Sequence, residues 1–131
     1  MAKKSKVVSA KEALERAKEQ YQKAKDHSDD PDQVFVWCFY ALENAVVSAA
    51  THANEGFQKN HWTKAHAARR LHREEGLTDV SDLLIDLNDA RKGTAYGDVA
   101  EPEIEPEDVL DQVDSYIQEV EKLLTPPKKS K

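Results

Sequence analysis

The sequence predicts an all-α fold, an antiparallel bundle of about five helices, from three observations. Glycine is scarce, with four in 131 residues, while Ala, Glu, Lys, Leu and Gln are abundant. Apolar residues recur three and four positions apart through most of the chain, the period of a helix rather than a strand. Capping and stop residues fall where those periodic stretches begin and end.

The first helix is predicted from about Ser9 to His27. Ser9 and Glu12 form an S-x-x-E capping box, in which each side chain serves the other residue's backbone N–H. Ala10, Ala13, Leu14, Ala17, Tyr21 and Ala24 give it a narrow apolar stripe with a charged back. The polar cluster His27-Ser28-Asp29-Asp30 ahead of Pro31 predicts a turn. Asp30 as cap and Pro31 at the first helical position start the second helix, which runs to about Asn54 and is stopped by Gly56. Val34, Phe35, Trp37, Cys38, Phe39, Ala41, Leu42, Ala45, Val46, Ala49 and Ala50 make it apolar nearly all round, so it belongs at the centre of the bundle, with Trp37 in the core.

A third helix is predicted from about Asn60 to Glu75, closed by Gly76, with a thin stripe of Trp62, Ala65, Ala68 and Leu71. The fourth runs from about Asp79 to Tyr96, capped by Thr78 or Asp79, on the stripe Val80, Leu83, Leu84, Leu87 and Ala90. After an acidic loop, Pro106 opens the fifth helix, where Glu107 and Asp108 suit the positive end of the helix dipole. Its face is Val109, Leu110, Val113, Tyr116, Ile117, Val120, Leu123 and Leu124.

The length fits one domain, which would bury about two-thirds of the surface of the unfolded chain. Residues 9–125 form that domain, and 1–8 and 126–131 are basic tails expected to be disordered, the second set off by Pro126-Pro127. Net charge is −6, and leaving out the tail lysines (Lys3, Lys4, Lys6, Lys128, Lys129, Lys131) makes the body −12. Such a body argues against strong nonspecific binding to DNA.

Charge is divided along the chain. Lys59 to Arg73 carries five Lys or Arg and three His, whereas Asp98 to Glu121 carries ten acids and no Lys or Arg. Either the two faces pair with each other, within or between subunits, or the basic one meets RNA phosphates or an acidic partner. The one cysteine, Cys38, rules out a disulfide within the chain and reads as core. No leader-like apolar segment and no apolar stretch near the ~20 residues of a membrane span is apparent, which predicts a cytoplasmic protein with no membrane role. His61, His66 and His72 are spaced by five and six, so successive ones do not stack, and His61 and His72, which can share a face, lie three turns apart and cannot meet at one metal ion. No HExxH, CxxC, phosphate loop or nucleophile elbow occurs, and no metal or cofactor is expected.

The informative segment is Leu87 to Asp98. Extending the stripe of the fourth helix places Arg91 on or beside the buried face, where a guanidinium needs an anion or backbone carbonyls. Two readings of Arg91 stand: an ion pair with a core acid such as Glu43, or a grip on an anion in a cleft or dimer seam.

The segment resembles the signature of the HEPN family, helical domains with an arginine, four to six residues, then histidine at the end of a bundle helix. Arg91 matches the arginine, Tyr96 stands where the histidine is expected, Gly97 matches the small residue after it, and Asp98 replaces a tyrosine. Tyr40-Ala41-Leu42-Glu43-Asn44-Ala45 is similar to the family's second helix. The resemblance implies a homodimer whose cleft holds Arg91 and Tyr96, with Asn88, Lys92, Asp98 and Glu43 as binding residues. It also implies a toxin–antitoxin or defence setting, in which the partner is RNA, a nucleotidyltransferase-type protein or another protein. Many family members are metal-independent ribonucleases and others only bind. The tyrosine weakens the enzymatic reading, because a phenol titrates near ~10 and is a poor base at neutral pH. The alternative is a structural or regulatory helical module with no nucleic-acid role.

Overall fold

The computed structural model describes residues 9–53, 61–96 and 104–125, and at 61–63 and 93–96 the backbone alone. The described residues form five helices and no strand: α1 (Ala10–Asp26), α2 (Pro31–His52), α3 (His61–Glu75), α4 (Ser81–Tyr96) and α5 (Pro106–Leu124). The all-α helical bundle read from the sequence is therefore the fold. The basic tails at 1–8 and 126–131 lie outside the described residues.

The helix ends follow from side-chain chemistry. Glu12 N–H donates to Ser9 Oγ and Ser9 N–H to Glu12 Oε1, both at 3.1 Å, which completes the capping box. Asp30 Oδ1 accepts from Asp32 N–H at 3.1 Å, and Pro31 occupies the first turn of α2. At the start of α4, which begins at Ser81, the side chain that serves a helix N–H is that of Asp79 rather than Thr78. Asp79 Oδ1 accepts from Ser81 N–H at 3.0 Å and from Ser81 Oγ at 2.7 Å. Thr78 is drawn instead to α5, where its N–H and hydroxyl donate to Glu119 Oε1 and Oε2 at 2.8 and 2.7 Å. Gly76 ends α3 with a φ of 76°, the left-handed conformation that a side chain strains. The His72 ring Nδ1–H, 2.8 Å from the Leu77 carbonyl, ties down the residues beyond it.

α2 is the hub. It packs against each of the other four helices, while α1 packs on α5 and α3 on α4. Two helix pairs thus flank one central rod. α1 and α2 run antiparallel, since Ser48 Oγ donates to the Ala10 carbonyl at 2.7 Å and Asn44 Nδ2 to Gln20 Oε1 at 2.7 Å. Val34, Cys38, Phe39, Ala41, Leu42, Ala45, Val46, Ala49 and Ala50 of α2 are almost wholly inaccessible. Each large apolar side chain buried this way contributes about 1.5–3 kcal/mol. The stripes of α3, α4 and α5 close on it through Ala68, Leu71, Leu84, Leu87, Val113 and Ile117.

Three expectations need correction. Trp37 is not core: it is half-buried at the α1 edge, with Nε1–H donating to Gln33 Oε1 at 3.1 Å and Lys23 Nζ 4.7 Å from the ring centroid. A helix that is apolar all round gives no hint of which side its neighbours leave open. Second, the 22-residue α2 contains an 18-residue window with a mean hydropathy of 1.4, so a helix long and apolar enough to span a membrane does exist. The scattered Glu43, Asn44 and Ser48 mask it when residues are read one by one, and 67% of the window is buried inside the bundle, as in a core helix. Third, α3 and α5 do not pack on each other among the described residues, so their basic and acidic faces are not paired as helices within one chain. α2 stands between them.

Leu42→Ala, which empties space at the centre of the hub, should cost about 2–5 kcal/mol in denaturant unfolding. Gly76→Ala meets no neighbouring atom and should cost about 1–2 kcal/mol through backbone strain alone. A Gly76→Ala protein as stable as wild type would show that the turn does not hold this conformation in solution.

Candidate anion-gripping site on α2, α3 and α4

The predicted position of Arg91 at the edge of the buried stripe of α4 is what the fold produces. Ala90 and Leu87 beside it are 1% and 0% exposed, while Arg91 itself is half-buried. Its Nη2–H donates to Asn88 Oδ1, one turn earlier, at 2.8 Å. The guanidinium carbon lies 5.1 Å from the centroid of the Phe39 ring on α2. Phe39 is fully buried, so it offers a fixed shelf, and a cation over an aromatic face gains about 0.5–2 kcal/mol. The planar group is held by a hydrogen bond at one edge and a ring beneath it.

One turn beyond Phe39, α2 presents Glu43, which is 7% exposed. Glu43 Oε1 is 3.5 Å from Lys64 Nζ of α3, with side-chain exposures of 9% and 18% respectively. This ion pair is shielded from solvent. It links α2 to α3 in the same part of the bundle where Arg91 links α2 to α4.

Of the residues nominated from the sequence, Arg91, Asn88 and Glu43 are thus found on facing helices. Lys92 is exposed on the adjoining face of α4. Tyr96 is the last residue of α4, about 7.5 Å along the axis from Arg91, and its side chain lies outside the description. Asp98 lies outside the described residues. Sequence reading missed two members, Phe39 as the shelf and Lys64 as the partner of Glu43. No local signal marks either, because each contact joins residues far apart in the chain.

Cys38 is fully buried, and burial pushes its thiol up to about 12, so it is protonated at neutral pH and inert as a nucleophile. Among the described residues no group of three or more His, Cys, Asp or Glu is placed to hold a metal ion. His66 and His72 are exposed on α3. The chemistry Arg91 brings is electrostatic: a permanently charged guanidinium whose Nη2–H is taken by Asn88 and whose Nε is buried.

The neighbouring surface of α4 carries the opposite sign. Partial burial, with Asp82 and Asp89 adding like-charge repulsion, raises the Asp86 carboxyl above its ordinary value. A group raised in the folded state costs stability when ionised, and the cost fades as pH falls through its folded pKa. Asp86→Asn should therefore raise the melting temperature at pH 7, and the gain should vanish in acid, where wild-type Asp86 is protonated in both states. An equal gain at both pH values would mean that the substitution acts through packing or helix propensity instead.

Compared with known family models, curated proteins and solved structures, the chain matches none.

Proposed function

We propose that this chain is a HEPN-like helical protein of a toxin–antitoxin or defence system that binds RNA, or a partner protein, through a cleft around Arg91 and Tyr96. The observation that carries the reading is the posture of Arg91. It is fixed by Asn88 and stacked on Phe39, yet half-buried rather than sealed, so the guanidinium is ordered before any ligand arrives. Preorganisation lowers the entropy cost of gripping a phosphate or carboxylate. Lys92, exposed on the next residue, adds positive charge. A homodimer that brings two such arginines to one seam would double the charge offered to a polyanion, and cytoplasmic residence fits this role.

A second reading has its own support. The shielded Glu43–Lys64 pair shows how this part of the bundle uses buried charge to join helices. On that reading Arg91 is likewise structural, and the protein is a regulatory helical module with no nucleic-acid role. An active metal-independent ribonuclease is the third reading, with Arg91 and Tyr96 as the reacting pair.

The experiment that separates them compares wild type with Arg91→Ala in three measurements: RNA binding, RNA cleavage without metal, and thermal unfolding. The binding reading expects at least about a tenfold loss of affinity, the worth of one charge-assisted contact, with a small change in melting temperature. A structural arginine instead predicts a destabilisation of about 3–5 kcal/mol, the cost of orphaning a buried partner, with no RNA bound by either protein. Cleavage by wild type that is lost in the variant would establish the enzyme. Light scattering on the same samples reports the dimer.

A further inference from the structure

α2 keeps one strip that its neighbours cover only in part. Val36, Trp37, Tyr40, Asn44 and Val47 are half-buried and recur three and four positions apart, so they form a single line down the helix. From Val36 to Val47 the line is about 17 Å long at the helical rise. Its rings are ordered. Trp37 and Tyr40 meet edge to face with centroids 6.1 Å apart, and Tyr40 lies 5.7 Å from the buried Phe39 ring. The polar groups on the line have partners within the chain, since Trp37 Nε1–H donates to Gln33 and the Asn44 amide to Gln20. What the strip presents outward is therefore mostly aromatic and aliphatic surface.

The charge beside the strip has one sign. On the α1 side, Gln20 is bonded to Asn44, and Lys23 Nζ stands 4.7 Å from the Trp37 ring centroid, so these contacts identify the bordering edge of α1. Arg16, Gln20 and Lys23 share that edge by helical spacing, and Arg16 and Lys23 are exposed. Glu19 falls beyond them on the outer side of α1, and Glu12 is held by Ser9 in the capping box. On the other side stand Arg91, over the Phe39 ring, and Lys64. Glu43, the one acid of α2 between them, is 3.5 Å from Lys64 and so adds no net charge. Cations border an apolar line in a chain whose net charge is −6.

We infer that this strip seats an amphipathic helix of an acidic partner protein. That helix lies along α2 beside α1, sets its own apolar line on Trp37, Tyr40 and the two valines, and turns carboxylates on its flank toward Arg16 and Lys23. A second copy of the chain fits less well. Strip against strip in a two-fold pair would set cations against cations. The outer face of α5 is acidic but exposes only polar and charged side chains, and α4 has a single half-buried Ile85 among Asp82, Asp86 and Asp89. An RNA strand would meet the cations but leave the valines unused, and the negative chain repels a polyanion. The inference does not rest on Arg91 gripping an anion, which Arg91→Ala tests separately.

The test is an NMR titration of the whole chain at about 0.15 M salt. The probes are a helical peptide of about 18 residues with Leu at three- and four-residue spacing and Glu on its flanks, the same peptide with Lys for Glu, and a short oligouridine. The expected result is saturable shifts of the Trp37 indole N–H and of the Val36, Tyr40 and Val47 amides with the Glu peptide, at least about tenfold tighter than with the Lys peptide. Arg16→Glu combined with Lys23→Glu should reverse that preference. Val47→Asp should weaken the Glu peptide by about tenfold or more; if it does not fold, the charge reversal at two exposed positions decides. Equal affinity for both peptides, no saturable shift, or a preference unchanged by the charge reversal would overturn the proposal. So would tighter binding of oligouridine at these residues, or a dimer by light scattering whose formation shifts them.

Discussion

Everything in this bundle depends on the burial of α2, which the other four helices cover except along the half-buried stripe of Val36, Trp37, Tyr40, Asn44 and Val47. A helix without a polar face cannot stand at a surface, so the other four must cover most of it, and their thin stripes are sufficient because each covers only a part. α1 illustrates the division of labour. Its buried residues are Ala13, Leu14, Ala17 and Ala24, mostly alanines, which contribute little apolar area of their own but let the helix approach α2 closely. The bulk is supplied by α2 and α5, through Phe39, Leu42, Val113, Tyr116 and Ile117.

The same constraint decides where charge can go. With α2 occupying the middle, α3 and α5 do not pack on each other among the described residues, so their basic and acidic surfaces do not form a helix–helix interface within the chain. Polar groups that do enter the interior do so at helix junctions and with partners. Ser48 reaches the Ala10 carbonyl, Glu43 reaches Lys64, and Arg91 rests on Phe39 beside Asn88. Each is a cross-link between α2 and a different neighbour, so they fix the rotation of the outer helices about the hub as well as their distance. Apolar contact alone, being non-directional, would leave that rotation loosely specified.

Much of the fold was legible because its signals are local. The Ser9–Glu12 box, Asp30-Pro31, Gly76 and Pro106 each report on a few consecutive residues, and the helices begin and end within a residue or two of them. The placement of Arg91 was legible too, since it follows from counting along the stripe Val80, Leu83, Leu84, Leu87. What sequence could not supply is azimuth. The apolar wrap of α2 does not say that Trp37 faces the rim while Phe39 and Leu42 face inward. Nor does it say that Phe39 and Glu43 meet α4 and α3. Thr78 and Asp79 are equally good caps by composition, and the choice between them was made by Glu119, forty-one positions from Thr78 along the chain. Such contacts are properties of the assembled bundle.

The position of Arg91 bears on what kind of activity the fold can support. A guanidinium is always charged, so it neither gives nor takes a proton at ordinary pH, and its value at a site lies in shape and field. Proton transfer would have to come from another residue held at a fixed distance on a rigid element. In the described part of this bundle the rigid elements place an amide (Asn88), an aromatic ring (Phe39) and a shielded ion pair (Glu43–Lys64) around Arg91 or one turn from it. These groups orient and hold. Tyr96, at the far end of the same helix, brings a phenol, which donates a hydrogen bond or stacks on a base more readily than it abstracts a proton at neutral pH. In the described part of the bundle Arg91 is thus held in place by an amide and an aromatic face on two packed helices.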